Sequence, residues 1–209
     1  MKLLTTTEGK VLLLLCKDFT TDYNANSLAN RLGITRRGAI NVVKALKREE
    51  LVVGKRYGKA VFYKADLTSH YVKEIVKTLL MTETKQHMQR WIHQFEKLLA
   101  VADAVIIFGS AVQNYSKARD IDLLVVFKGK NLNAARRIIE QENRSSAKPI
   151  HVVWQSPQDF ISNIKKLDPV LINALKFGYV LCGYNLIVQI ILQTQLKYGS
   201  FSIPKPEPR

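Results

Sequence analysis

The alternation of apolar and polar positions divides the chain into a helical first part, a long helical middle and a strand-rich remainder. Val11, Leu12, Leu14 and Leu15 follow Thr7 and Glu8, which predicts a capped helix over residues 5–18. The polar stretch 22–26 ends it. A short helix is expected over residues 27–33, with Ser27 as its N-cap and Gly33 as its stop. Thr35 then caps a longer helix over residues 36–50, whose apolar face is Ala39, Ile40, Val43 and Leu46. Residues 51–53 and 60–63 read as two short strands around a basic turn, 54–58, bounded by Gly54 and Gly58.

Residues 68–100 return to helical spacing, with one stripe of Val72, Ile75, Val76, Leu79 and Leu80 and another of Met88, Trp91, Ile92, Phe95, Leu98 and Leu99. Thr82-Glu83-Thr84 between the stripes is either a break or a polar turn of one long helix. From residue 104 the period becomes strand-like, with runs at 105–108, 121–127 and 150–154 and a helix near 133–142. The apolar segment 170–177, a short strand at 179–181 and an apolar helix around 186–192 follow. Residues 200–209, with three prolines in the last six positions, read as a loose tail. The expected class is α+β, divided as 1–67, a helical linker or dimerisation segment 68–100, 101–199 and the tail 200–209.

Composition narrows the function. With 47% apolar and 23% charged residues the chain has the balance of a folded domain, yet its net charge is +15. Such an excess points to polyanions: nucleic acid, nucleotides or an anionic membrane. Residues 1–70 hold 13 Lys and Arg against 6 Asp and Glu, a local net of +7. No uncharged apolar run approaches the ~20 residues of a spanning helix, and no basic amphipathic anchor is evident, so a membrane partner is not expected. The run 11–16 meets Lys17-Asp18 too soon for a signal peptide, and Leu15 before Cys16 does not suit lipoprotein cleavage. Cys16 and Cys182, each in apolar surroundings, read as buried thiols of a reducing, cytoplasmic protein. The four histidines show no zinc spacing with them.

Two constellations carry chemistry. In the first, Arg36 and Arg37 open the second of two close helices, Asn41 and Lys44 continue on its polar side, and Lys55, Arg56 and Lys59 mark the hairpin. In the second, the strand Ile106-Ile107-Phe108 ends in Gly109-Ser110, and after nine intervening residues Asp120-Ile121-Asp122 opens another strand. Side chains two apart on a strand share a face, so Asp120 and Asp122 present paired carboxylates. Paired carboxylates are hard oxygen ligands suited to Mg²⁺. Gly109 frees backbone N–H groups and the Ser110 hydroxyl to approach phosphate oxygens, and a helix starting at Ser110 would add its positive end. Lys117 and Arg119 either hold a phosphate or coat a loop. Asp159, beyond Pro157, reads as a helix cap. The Trp91/Phe95 stripe reads as core or dimer seam, and His87 and His93 as structural.

Residues 27–50 with the hairpin resemble a winged helix-turn-helix DNA-binding domain. The resemblance implies that Thr35, Arg36, Arg37, Asn41 and Lys44 face a major groove while Lys55, Arg56 and Lys59 meet backbone or minor groove. Winged helices also serve as protein-docking modules. Residues 101–184, through the Gly-Ser and Asp-x-Asp pair, resemble the polymerase-β-type nucleotidyltransferases, particularly the small single-domain ones, whose closing apolar-glycine strand is similar to Val180–Gly183. That resemblance implies a small mixed sheet, NTP as substrate and Mg²⁺ or Mn²⁺ on Asp120 and Asp122. It also implies phosphate contacts from Gly109, Ser110, Lys117 and Arg119, and transfer of a nucleoside monophosphate with release of pyrophosphate. Active members carry a third acid on a later strand; here that position holds His151, a residue able to ligate a metal or take a proton.

The expected function is therefore a DNA-binding nucleotidyltransferase acting on a protein hydroxyl, a nucleic-acid end or a small molecule. The alternatives are a transcriptional regulator whose degenerate transferase domain senses nucleotide, and an antitoxin-like protein that binds a partner chain. A homodimer through residues 68–100 is compatible with either.

Overall fold

The computed structural model describes residues 4–127 and 132–197, and within them it is a mixed α+β protein with two small sheets. The expected tail at 200–209 lies outside the described residues. The described chain forms two compact units, 4–76 with 191–197 and Lys77–Ile190.

In the first unit, α1 (Thr6–Lys17) is capped by Thr5, within the capped helix expected over residues 5–18. The Thr5 hydroxyl accepts from Glu8 N–H and the Glu8 carboxylate accepts from Thr5 N–H at 2.7 Å, a reciprocal box that needs the three-residue spacing. After the two-residue strand β1 (Tyr23–Asn24), α2 (Ala25–Leu32) is capped by Asn24, not Ser27. Ser27 instead occupies the third helical position and its hydroxyl accepts from Asn24 N–H. Gly33 ends α2 and Thr35 caps α3 (Arg36–Arg48), both as expected from sequence. Val11, Leu12, Leu28, Ala39, Val43 and Leu46 close the helical core.

The hairpin differs from expectation. Strand β2 (Val52–Tyr57) continues through the glycine-flanked segment and pairs along its length with β3 (Ala60–Ala65), leaving Gly58-Lys59 as the turn. Gly54 fits within the ladder because a side chain there would press on the Tyr63 ring at 3.2 Å. Strand β1 adds to β3, giving the order β1-β3-β2. A buried Lys64–Asp22 ion pair (3.3 Å) and the Tyr23 hydroxyl donating to Asp18 (2.8 Å) fix this corner.

Helix α4 (His70–His87) runs unbroken through Thr82-Glu83-Thr84, so that triplet is a polar turn of one helix. The buried Thr84 hydroxyl donates to the Val180 carbonyl at 2.7 Å, which explains a polar residue at an inward position. Two short helices follow, α5 (Gln89–Gln94) and α6 (Glu96–Leu99).

The second sheet is built from β4 (Ala104–Phe108), β5 (Ile121–Val126), β6 (Ile150–Gln155) and β7 (Tyr179–Cys182), in the order β6-β5-β4-β7. Its helices are the single turn α7 (Ser110–Gln113), α8 (Leu132–Ser145), α9 (Pro157–Lys165), α10 (Pro169–Phe177) and α11 (Tyr184–Lys197). β5 and β6 are parallel across the α8 connection, whereas β4 is antiparallel to both β5 and β7. All five residues of β4 are buried, the continuous apolar run expected of a strand covered on both faces. On one face Val105, Ile107, Leu123 and Val125 pack with Trp91, Phe95, Leu98 and Ile139. Trp91 and Phe95 are therefore core, their rings stacked 6.0 Å apart. Ser156 caps α9, and its hydroxyl holds the Asp159 carboxylate at 2.7 Å, so Asp159 belongs to that helix start.

Candidate functional site

Asp120 and Asp122 stand where the loop from α7 becomes β5, two positions apart and hence on one face. Phe108, the last residue of β4, is the antiparallel partner of Asp122, which brings Gly109 directly against its carboxylate. Gly109 has φ 77° and ψ −157°, a conformation confined to glycine. A Cβ on Gly109 would lie 2.2 Å from Asp122 Oδ2, so the space that the carboxylate occupies is the space of the missing side chain. Ser110 does begin a helix, but α7 is one turn of four residues. Its contribution to an anion is local N–H groups rather than an extended dipole.

On the other side, β6 runs parallel to β5 with Asp122 opposite His151. His151 Nδ1 lies 3.4 Å from Asp120 Oδ2. Among the described residues, one group of three His, Cys, Asp or Glu side chains gathers closely enough for a metal ion: Asp120, Asp122 and His151, with ligand atoms within 4.8 Å of one another. Burial and the neighbouring Asp120 carboxylate hold the Asp122 carboxyl above the usual aspartate range, with His151 opposing them. A divalent cation removes both penalties at once, because it supplies the opposite charge and replaces lost hydration. The donor set and the glycine cradle therefore fit a cation.

Contacts that sequence reasoning missed hold this arrangement. The Asn143 side chain on α8 grips Ile150 from both sides, accepting from its N–H at 2.7 Å and donating to its carbonyl at 3.3 Å. Ile121 N–H donates to the Pro149 carbonyl at 2.9 Å. Together these set the register that puts His151 beside Asp122. The Lys148 ammonium donates to the Ala118 carbonyl and lies over the Tyr115 ring, whose centroid is also 4.0 Å from the Arg90 guanidinium. The loop leading to Asp120 is thus tied by cations at positions 90 and 148. Lys117 and Arg119, assigned to phosphate from sequence, are exposed on that same loop.

The basic constellation of the first unit is also laid out. Thr35, Arg36, Arg37, Asn41 and Lys44 are exposed on α3 opposite the buried Ala39, Val43 and Leu46. Thr35 spends its hydroxyl on Gly38 N–H at 3.0 Å. Lys55 and Arg56, expected on the turn, are consecutive residues of β2 and so project from opposite faces of the hairpin. Lys59 sits on the turn itself. Arg36 and Lys59 line one groove of about 660 Å³ together with Asn24, Asn26, Tyr57 and Phe62. The two asparagines were read only as a polar break, and nothing in their spacing marked them as groove residues.

Cys16 is buried and Cys182 half-buried, both free, and burial pushes their thiols up to about 12 and about 11. No described helix is long and apolar enough to cross a membrane. No protein family, curated protein or solved structure matches the chain.

Proposed function

We propose that the second unit is a polymerase-β-type nucleotidyltransferase domain and the first a winged helix-turn-helix that binds duplex DNA. The observation that carries the enzymatic reading is the pair Asp120 and Asp122 beside His151, with Asp122 seated against a glycine whose missing side chain makes its room. Asp120 and Asp122 hold the cation of a metal–NTP complex, Mg²⁺ or Mn²⁺. When bound, the cation neutralises triphosphate charge and makes the α-phosphorus a better electrophile. The Gly109–Ser110 backbone and the Ser110 hydroxyl donate to phosphate oxygens, and Lys117 and Arg119 add positive charge from the loop. An acceptor hydroxyl attacks the α-phosphorus: a new O–P bond forms, the bond from the α-phosphorus to the α,β-bridging oxygen breaks, pyrophosphate leaves, and the hydroxyl proton passes to solvent. The exposed face of α3 with the hairpin turn brings Arg36, Arg37, Asn41, Lys44 and Lys59 to DNA, and Lys55 and Arg56 serve one each on the two hairpin faces.

A second reading has its own observation. His151 stands where active members of the family keep an acid, and its side chain is 62% exposed. In that reading the domain binds nucleotide or a partner protein without turnover, as a sensor or an antitoxin-like module. One assay separates them: α-labelled NTPs with Mg²⁺ or Mn²⁺ and candidate acceptors, beside Asp120→Ala/Asp122→Ala. Metal-dependent transfer lost in the variant supports the enzyme. Metal-dependent NTP binding with no transfer supports the sensor, and binding indifferent to both aspartates removes the site.

A further inference from the structure

Resting on the cation site just described, we propose that His151 makes it selective for first-row transition ions over Mg²⁺. Three observations combine. His151 is the in-register neighbour of Asp122 on the parallel strand, so its side chain leaves the sheet on the same face as the carboxylates. Its Nδ1 is 3.4 Å from Asp120 Oδ2, and the three ligand atoms fall within 4.8 Å of one another. The position is set by backbone: Asn143 holds Ile150 at both its N–H and its carbonyl, and Ile121 N–H is bonded to Pro149.

The chemistry follows from donor type. The three ligand atoms lie within 4.8 Å of one another, near enough for side-chain rotation to bring them to one cation. Mg²⁺ demands oxygen donors in near-ideal octahedral order and gives up water reluctantly. An imidazole nitrogen in its shell is a poor exchange for water. First-row transition ions accept imidazole more readily, and Mn²⁺, the one nearest to Mg²⁺ in its preference for carboxylates, is the most demanding probe of the difference. Two aspartates and one histidine thus form a mixed oxygen–nitrogen site, whereas an acid at position 151 would make it all-oxygen. His151 is mostly exposed, so it can rotate toward an ion without disturbing the core, and replacing it leaves the packing intact.

Because transition ions outbind Mg²⁺ at many sites, the informative quantity is the change in preference when residue 151 changes. Mg²⁺ and Mn²⁺ are titrated separately into the full chain by calorimetry, with Mn²⁺ also followed by electron paramagnetic resonance. Wild type, His151→Asp, His151→Ala and Asp122→Asn are compared, each checked for folding by circular dichroism. The expected result is a Mn²⁺/Mg²⁺ affinity ratio that falls at least about tenfold in His151→Asp, through gained Mg²⁺ affinity. His151→Ala loses Mn²⁺ affinity and leaves Mg²⁺ binding unchanged. A ratio equal in wild type and both His151 variants overturns the selectivity while leaving the cation site intact, provided that Asp122→Asn still abolishes binding. Absence of any cation binding to wild type overturns the site and the selectivity together.

Discussion

Gly109→Ala tests the close fit between glycine and carboxylate. The substitution does two things that can be separated. At φ 77° and ψ −157° an alanine pays backbone strain, of order 1–3 kcal/mol. Its Cβ also meets Asp122 Oδ2 at 2.2 Å, where non-bonded contacts do not come closer than 3.0 Å. The carboxylate must therefore retreat by about 1 Å, several times the ~0.2 Å tolerance of a metal–ligand distance. Gly183→Ala supplies the control: φ is 78°, and its Cβ would lie 2.2 Å from the Asp103 carbonyl and 2.4 Å from Ala104 Cβ, with no site carboxylate among its nearest neighbours. Both variants lower the melting temperature. Mn²⁺ binding, measured calorimetrically at a temperature where both remain folded, falls about 10–100-fold in Gly109→Ala alone. Unchanged binding in Gly109→Ala, or an equal loss in Gly183→Ala, would refute the reasoning.

Three further outcomes follow from the same geometry. Asp122→Asn raises the melting temperature of the metal-free protein, because burial and Asp120 raise the Asp122 pKa: wild-type stability is fuller at low pH and declines as pH rises through the folded pKa. In that variant added Mn²⁺ no longer stabilises, whereas wild type gains about 2.7 kcal/mol at a hundredfold excess over its dissociation constant, read by thermal melting. Arg36→Ala/Arg37→Ala weakens duplex binding and reduces the slope of log K against log salt by about 2, measured by fluorescence anisotropy; an unchanged slope removes both residues from the interface. Tyr23→Phe costs about 1–3 kcal/mol by denaturant unfolding, since it leaves the buried Asp18 carboxylate without this donor. Burial and Asp18 push the Tyr23 pKa up to about 12. Its contribution is therefore full below pH 10 and lost as pH rises toward 12, a loss that the phenylalanine variant does not show.

The paired aspartates were legible because strand period and chemistry coincide. Ile121 and Leu123 fill one face, so Asp120 and Asp122 are left to the other. The buried β4 was equally plain, as the apolar run 105–108 ending in glycine, to which the structure adds Ala104. Helix starts were legible in kind and sometimes missed in position: Asn24 satisfies the box with the residue three positions on, while Ser27, a good capping type, lies three places too far along. The hairpin turn was misplaced because glycines and charges in 54–58 imitate a loop. Pairing with β3 outweighs that local preference and leaves the turn to Gly58-Lys59. The ties that fix the site, Asn143 to Ile150 and Lys148 to Ala118, were invisible because neither has a periodicity or motif; they exist only once β5 and β6 are side by side.

The central claim is transfer of a nucleoside monophosphate. The most direct measurement follows NTP labelled at the α- or the γ-phosphate with Mn²⁺ and candidate acceptors. The account predicts that α-label becomes attached to acceptor, with one pyrophosphate released per transfer, and that both signals vanish in Asp120→Asn/Asp122→Asn. Transfer of γ-label instead, or α-label transfer that survives loss of both aspartates, would contradict it.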